Sequence, residues 1–126
     1  MFRTLQAGVL VFCLAAPAAA HHSRIAVYRT EDPSITIEGT VTRVQWQNPH
    51  IWFYIDVVDE NGNVASWEVE LAGASNPARM FRRGWRPDSL KIGDVVTVTA
   101  ALARDGSLNR ISSDSVIMPD GRELGL

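Results

Sequence analysis

The stretch HIWFYIDVVDENGNVASWEVEL, residues 50–71, decides the fold. Its first half is aromatic and β-branched, and apolar side chains alternate between two faces of a strand: Ile51, Phe53, Ile55 and Val57 on one, Trp52 and Tyr54 on the other. DENGN, residues 59–63, suits a hairpin turn because Asn61-Gly62 accepts positive φ. VASWEVEL, residues 64–71, alternates again, with Trp67, Val69 and Leu71 on one face. The stretch therefore predicts an antiparallel β-hairpin.

Three more strands and one helix surround this hairpin. Residues 35–46 alternate, but the apolar parity changes between Gly39 and Arg43, which predicts a bulge. Residues 95–102 and 108–118 form two further strands, the last one irregular around Ser112-Ser113. Between the third and fourth strands, Ser75 or Asn76 can cap a helix of about two turns that begins at Pro77 and ends at Gly84. Met80 and Phe81 are expected on its buried side.

This order of elements predicts an all-β domain. Five strands, a bent first strand and one short helix between the third and fourth strands are typical of an OB-like five-stranded Greek-key barrel. Closure of the barrel protects the sheet edges in a chain that cannot form a disulfide. A β-sandwich is the alternative, but the chain offers too few strands for one.

Residues 1–20 have the pattern of a secretory signal peptide. Arg3 makes its start positive, residues 7–16 are apolar, and Ala18-Ala19-Ala20 fits the cleavage pattern. The apolar run is shorter than the roughly 20 residues that span a bilayer. We therefore expect a cleaved leader and a periplasmic or secreted domain over residues 21–126. Residues 21–33 are predicted as an extended N-terminal arm, with no membrane insertion after cleavage.

Two cleavage points fit this leader. Cleavage after Ala20 leaves His21 as the first residue, and cleavage after Ala18 leaves Ala19-Ala20-His21. The mature start therefore carries a histidine within its first three residues in both cases.

Composition narrows the class of partner. The single cysteine, Cys13, lies inside the leader behind Phe12 rather than a small residue, which disfavours a lipid anchor. The mature chain therefore has no thiolate for a disulfide or a metal site. Without Arg3 it has 11 basic and 14 acidic residues, a net charge of −3. A nucleic-acid partner is not expected, because such proteins need a strong positive field.

Several motifs together resemble a family of small exported bacterial proteins of unknown function. They are HHS at 21–23, W-x-N-P-H at 46–50, RRGW at 82–85 with DSLKIGD at 88–94, and PDGREL at 119–124. The resemblance covers residues 21–126 and implies an OB-like periplasmic domain. It implies no activity, so function has to be argued from the residues.

The three histidines, His21, His22 and His50, are the candidate metal ligands. If His21 is first, its α-amine and Nδ1 can chelate one ion and His50 can add a third nitrogen, an arrangement that suits Cu(II). After the other cleavage, the amine, two backbone nitrogens and the His21 imidazole form a square plane. His22 can also bind the ion in place of the His21 or the His50 imidazole. These ligands predict a binding protein that handles or delivers copper. The alternative for His50 is a structural role, with its ring stacked on tryptophan and bonded to a carbonyl.

A second candidate site consists of the arginines of the helix, Arg79, Arg82, Arg83 and Arg86. Guanidinium groups bind carboxylates and other anions well, and four side chains are candidate contacts beside them: Trp46, Asn48, Trp52 and Trp85. This group predicts an interaction module for an envelope protein or an anionic ligand. The alternative is a solvated helix face that pairs with Glu68 and Glu70.

No set of residues predicts catalysis. The serines lack a G-x-S-x-G setting, and Glu68 and Glu70 alternate on the exposed face of a strand, where carboxylates are mostly solvated. We therefore expect no enzymatic activity.

Overall fold

The computed structural model describes residues 23–71 and 77–125. Its helices and strands are α1 Arg24–Val27, β1 Ile35–Gln45, β2 Trp52–Val58, β3 Val64–Leu71, α2 Pro77–Arg82, β4 Val95–Leu102, β5 Arg110–Ile117 and β6 Glu123–Gly125. The first five strands pair in the order β3-β2-β1-β4-β5, and a parallel β3–β5 pairing closes them into a barrel. The predicted OB-like barrel with α2 between its third and fourth strands is confirmed. The predicted leader, residues 1–20, lies outside the described residues.

The first strand bends, and its two halves pair with different strands of the one sheet. Its first half pairs with β4 through Thr40 and its second half pairs with β2, and the register shifts between Val41 and Arg43. This shift confirms the bulge that the change of apolar parity predicts. Gly39 allows the bend, because a Cβ there would lie 2.9 Å from the carbonyl oxygen of Asp56.

The β2–β3 hairpin has the predicted register and turn. Phe53 pairs with Val69 and Ile55 with Trp67, so the apolar residues of the two strands share the inner face. The Asp59 amide donates to the Asn63 carbonyl across the turn, and Gly62 has a φ of 82°. Phe53, Ile55 and Val69 are completely buried in the core.

The helix α2 and the residue after its end close one end of the barrel. Met80 and Trp85 are both buried and belong to the main core. The helix ends at Arg82 and is followed by Gly84, whose φ is 90°, and the Trp85 amide donates to the Met80 carbonyl at 3.0 Å. This hydrogen bond belongs to a Schellman ending, which turns the residue after the glycine back onto the helix. Phe81, predicted on the buried side, is instead 42% exposed.

The last strand is short and was not expected as a strand from the sequence. After the turn at residues 119–121, β6 pairs antiparallel with the end of β5, where Val116 lies opposite Leu124. The predicted irregularity of β5 is present, because its register against β4 shifts between Ser113 and Ser115. Neither described helix is long and apolar enough to cross a membrane.

The described part of the N-terminal arm, residues 23–33, is not extended throughout. Arg24–Val27 form one helical turn, and Tyr28 forms an isolated antiparallel bridge with Ala103. The Arg29 amide donates to the Leu102 carbonyl at 2.8 Å and the Arg104 amide to the Val27 carbonyl at 2.9 Å. The expected extended arm therefore needs correction, because backbone pairing with the end of β4 holds it against the barrel.

Candidate functional site

Tyr28 lies across the outer face of the barrel. It is 2% exposed and packs on Ala101 and Ala103, both of which are buried beneath it. Ala101 pairs with Ser112 of β5, and Ser112 pairs with Glu70 of β3. The small side chains of this row leave room for the phenol ring on a surface that would otherwise face solvent. The ring thus spans from β4 across β5, and its hydroxyl reaches Glu70.

Glu70 joins the N-terminal arm to the loop before β2. One carboxylate oxygen accepts the Tyr28 hydroxyl, and the other lies 2.5 Å from Nδ1 of His50. Only 13% of the Glu70 side chain is exposed. Burial, followed by the hydrogen bond and the charge of Glu70, raises the pKa of the Tyr28 phenol above its ordinary value. The expectation of a solvated carboxylate at Glu70 is therefore wrong, because the arm covers this part of the face.

His50 presents one edge to the protein and the other to solvent. Its Nδ1 is buried, and among the described residues it has no hydrogen-bond partner of good geometry, although Glu70 Oε1 is close. The pair is thus a close contact and not a well-aligned hydrogen bond. The side chain as a whole is 42% exposed, so part of the ring other than Nδ1 reaches solvent. The preceding Asn48–Pro49 peptide bond is cis.

The start of the arm is fixed next to the same carboxylate. Arg24 Nε donates to the Ser112 hydroxyl at 2.9 Å, and its guanidinium lies 2.6 Å from Asp114. Ser112 is the strand partner of Glu70, which contacts His50. Ser23, the first described residue, therefore precedes an arginine whose side chain is bound on the strand next to the one that carries Glu70. His21 and His22, the other predicted ligands, lie outside the described residues.

Among the described residues, no three His, Cys, Asp or Glu side chains form a metal-binding group. His50 and Glu70 are a pair, and the carboxylate already accepts the Tyr28 hydroxyl. A metal at His50 would thus need ligands in addition to this pair.

Trp52 and Glu68 flank this site. Trp52 is half-buried and pairs with Glu70, and the Arg110 guanidinium stacks over its ring at 5.2 Å. The same guanidinium bonds the Glu68 carboxylate at 2.6 Å. Glu68 is therefore paired with Arg110, a partner that was not expected from the sequence. Trp52 lies two residues after His50 in the chain.

The helix arginines form a separate group at the end of the barrel. Arg82, Arg83 and Arg86 are exposed, and Arg79 is half-buried. Arg86 donates to the carbonyls of Phe81 and Trp85 at 2.9 and 2.7 Å. Trp85 is 1% exposed and belongs to the core, so its expected role as a surface contact is wrong. Phe81 takes that place: it meets Trp46 edge to face at 5.8 Å and lies beneath Arg86.

The loop between β1 and β2 separates the two groups. Its first residue, Trp46, contacts Phe81, and its histidine contacts Glu70. Asn48 is exposed between them. The structure thus places the candidate residues in two neighbouring sites rather than in one.

Comparison with known families gives one match. Residues 9–112 match a family described as Family of unknown function (DUF6152). The chain belongs to this family. The DUF6152 match includes His50, Glu70 and the helix arginines, and it ends within β5. It confirms the resemblance to a family of unknown function and supplies no activity. No curated protein matches the chain.

Sequence reasoning missed Tyr28 and Glu70. Alternation placed Glu70 on the outer face correctly, but it could not show that another segment covers that face. One feature of the sequence does indicate that a segment covers this face. The outward residues at the end of β4 and opposite them on β5 are small: Ala101, Ala103 and Ser112. Small residues on the outer face of a barrel indicate that something large packs there.

Proposed function

We propose that the mature protein is an exported periplasmic binding protein that holds Cu(II) through His21, His22 and His50 and acts in copper handling or delivery. It works by binding and not by catalysis. The observation that carries this proposal is the arrangement around Glu70, where one carboxylate contacts both His50 and the arm that follows the terminal histidines.

The reach of the arm supports the proposal. Arg24 is anchored on Ser112, whose strand neighbour Glu70 contacts His50. Adjacent strands lie about 4.8 Å apart. His21 and His22 precede Ser23 directly, and two residues of extended chain reach about 7 Å. An ion held near His50 is therefore within the range that the terminal residues can cover.

The orientation of His50 supports it as well. A histidine that binds a metal through one nitrogen commonly directs the other at a carboxylate, which fixes its tautomer and makes it a better ligand. His50 has a related arrangement, because Nδ1 lies 2.5 Å from Glu70 Oε1 and 42% of the side chain is exposed. Nε2 would then be the ligand, and Glu70 would act from behind the ring.

The remaining donors fit copper better than other common ions. The mature chain lacks cysteine, so its site would contain an amine and imidazoles, and nitrogen ligands in a tetragonal arrangement suit Cu(II). Both cleavage points supply an amine close to His21, which makes the proposal independent of the exact cut.

The test uses mature protein with a free N-terminus, whose intact mass is measured with and without Cu(II). We expect one bound ion with an affinity tighter than micromolar, an electron paramagnetic resonance spectrum of nitrogen ligation, and a loss of affinity of at least about tenfold in His50→Ala. Asn48→Ala, in the same loop but exposed, is the matched control and should bind as wild type. A second control keeps a methionine before His21, which displaces the chelating amine.

Micromolar or weaker binding that His50→Ala leaves unchanged would show that the terminal histidines bind copper only as an exposed peptide does. That result rejects the proposal.

A further inference from the structure

A compact surface of aromatic and cationic side chains lies at the α2 end of the barrel, apart from the His50 site. It consists of Trp46, Phe81, Arg82, Arg83 and Arg86 and is called the arginine–aromatic patch below. Phe81 is 42% exposed, and the three arginines are exposed as well. No hydrogen bond or ion pair is made by Arg82 or Arg83 through their side chains within the described part of the chain.

Contacts within the protein hold the Arg86, Phe81 and Trp46 side chains of the patch in place. Arg86 NH1 bonds two carbonyls at the end of α2, and its guanidinium lies over the Phe81 ring at 5.0 Å. Trp46 contacts Phe81 edge to face, with ring planes at 66°. Fixed aromatic and arginine side chains lose little entropy on binding, and these residue types dominate the energetics of protein interfaces.

The charge of the patch contrasts with that of the rest of the chain. The sequence from Leu71 to Pro87 contains four arginines and no Asp or Glu, whereas the mature chain as a whole is acidic. Asp88 follows directly, but among the described residues no ion pair involves Arg82, Arg83 or Arg86. Their positive charge is therefore available to carboxylates. Two exposed arginines elsewhere on the described surface do have acidic partners: Arg104 pairs with Glu31 and Arg122 with Asp120. A third, Arg43, bonds the Tyr54 hydroxyl instead.

The geometry favours a protein segment over a membrane surface. An interfacial helix needs a broad apolar face that enters the lipid, but α2 has six residues and buries Met80 in the barrel. Phe81 is the aromatic residue that α2 exposes, and one face of its ring is covered by Arg86. An exposed aromatic side chain with Arg86 over its ring, followed in the chain by Arg82 and Arg83, suits an apolar side chain flanked by carboxylates.

We propose that the arginine–aromatic patch binds an acidic segment of a partner protein, in which Asp or Glu residues flank an apolar side chain. The carboxylates bind Arg82 and Arg83, and the apolar side chain packs on Phe81 and Trp46. This interaction does not involve the His50 site and does not require metal.

The test measures fluorescence anisotropy with two fluorescein-labelled pentapeptides on metal-free mature protein. One peptide has four glutamates around a central leucine, and the other has glutamines in their place. We expect the acidic peptide to bind with a Kd tighter than about 100 µM at low salt, and the neutral peptide to bind at least about tenfold more weakly. Arg82→Gln/Arg83→Gln should weaken the acidic peptide by at least about tenfold.

The matched control, Arg43→Gln/Arg122→Gln, removes the same charge from the exposed surface elsewhere and should change binding less than about twofold. Equal losses in the two double variants would mean that only net charge matters, and equal binding of the two peptides would mean that carboxylates are not recognised. Either result overturns the proposal. Sedimentation with phosphatidylglycerol vesicles completes the test. Vesicle binding that needs Arg82 and Arg83, without peptide binding, would assign the patch to a membrane and overturn the proposal too.

Discussion

Replacing Tyr28 with phenylalanine removes one hydroxyl from a buried position and leaves the ring in place. The hydroxyl donates to the Glu70 carboxylate, and Tyr28 is 2% exposed. A hydrogen bond to a charged acceptor contributes about 1.5–3 kcal/mol, and its loss leaves a largely buried oxygen without a donor. We therefore expect Tyr28→Phe to lower the free energy of unfolding by about 2 kcal/mol at pH 7.

The same variant gives a pH dependence whose sign follows from the pKa of Tyr28. Burial and Glu70 raise this pKa in the folded state above the ordinary value of 10.0. A group whose folded pKa is raised contributes its full stabilisation below the unfolded pKa and loses it as the pH rises past that value. At pH 11 the unfolded chain ionises Tyr28 and the folded chain does not, which favours unfolding by about 1.4 kcal/mol.

The measurement compares wild type and Tyr28→Phe by guanidinium unfolding, followed by tryptophan fluorescence, at pH 8 and pH 11. All other ionisable groups are common to both proteins, so they cancel in the difference between the two unfolding free energies. This difference should shrink by about 1.4 kcal/mol between the two pH values. In a Glu70→Gln background the cost of Tyr28→Phe should fall to about 1 kcal/mol, that of a neutral hydrogen bond. A difference that is the same at pH 8 and pH 11 would refute the burial of this hydroxyl against Glu70.

Three further substitutions test other parts of the fold. Gly39→Ala should cost about 1–3 kcal/mol of unfolding free energy in thermal melts, because the new Cβ would lie 2.9 Å from the Asp56 carbonyl oxygen. The control Gly106→Ala, where a Cβ would have nothing within 4 Å, should change the unfolding free energy by less than about 0.5 kcal/mol. Trp85→Ala should cost about 3–5 kcal/mol in guanidinium unfolding, since Trp85 is the largest fully buried side chain; a cost below 1 kcal/mol would contradict its place in the core. Arg24→Gln should cost less than about 1 kcal/mol of unfolding free energy, because the ion pair with Asp114 is partly exposed. It should nevertheless speed amide hydrogen exchange at Ala26 and Tyr28. Unchanged exchange would mean that Arg24 does not hold the arm.

The barrel was predictable because its signals are local. The hairpin follows from alternation and from the turn at Asn61-Gly62, and the bulge follows from the parity change after Gly39. A strand has a period of two residues, so any change of parity has to appear as a bulge or a twist in the pairing. Gly84 likewise marks the helix end, because a Schellman ending requires a residue with positive φ.

The side of the helix was less predictable. Met80 and Phe81 are consecutive, and adjacent residues of a helix point in directions about 100° apart, so a short helix seldom buries both. Met80 faces the barrel, and Phe81 therefore faces Trp46 and solvent. Trp85 could not be placed from local pattern, because its burial depends on the direction in which the chain leaves Gly84.

The candidate site required the tertiary structure. The sequence predicts His50 at the entrance of β2, but it does not show that Glu70, twenty residues later, lies against its ring. Nor does it show that Tyr28 comes across β5 to the same carboxylate. No local sequence pattern marks these residues as partners. The parallel β3–β5 pairing, which closes the barrel, brings the arm and the hairpin together.

The described part of the arm is therefore part of the folded barrel. Cleavage of a leader would place the new N-terminus close to the barrel surface. If cleavage falls at Ala18 or Ala20, the new N-terminus lies a few residues before Arg24, which is itself anchored on Ser112. A short tether of this kind raises the effective concentration of a terminal ligand at a nearby site. Copper binding through His50 should thus depend on the arm: Arg24→Gln should weaken it by roughly tenfold while the isolated N-terminal peptide is unaffected. Equal copper affinity in wild type and in Arg24→Gln, measured by competition with a chelator, would mean that the arm does not hold the terminal histidines at His50.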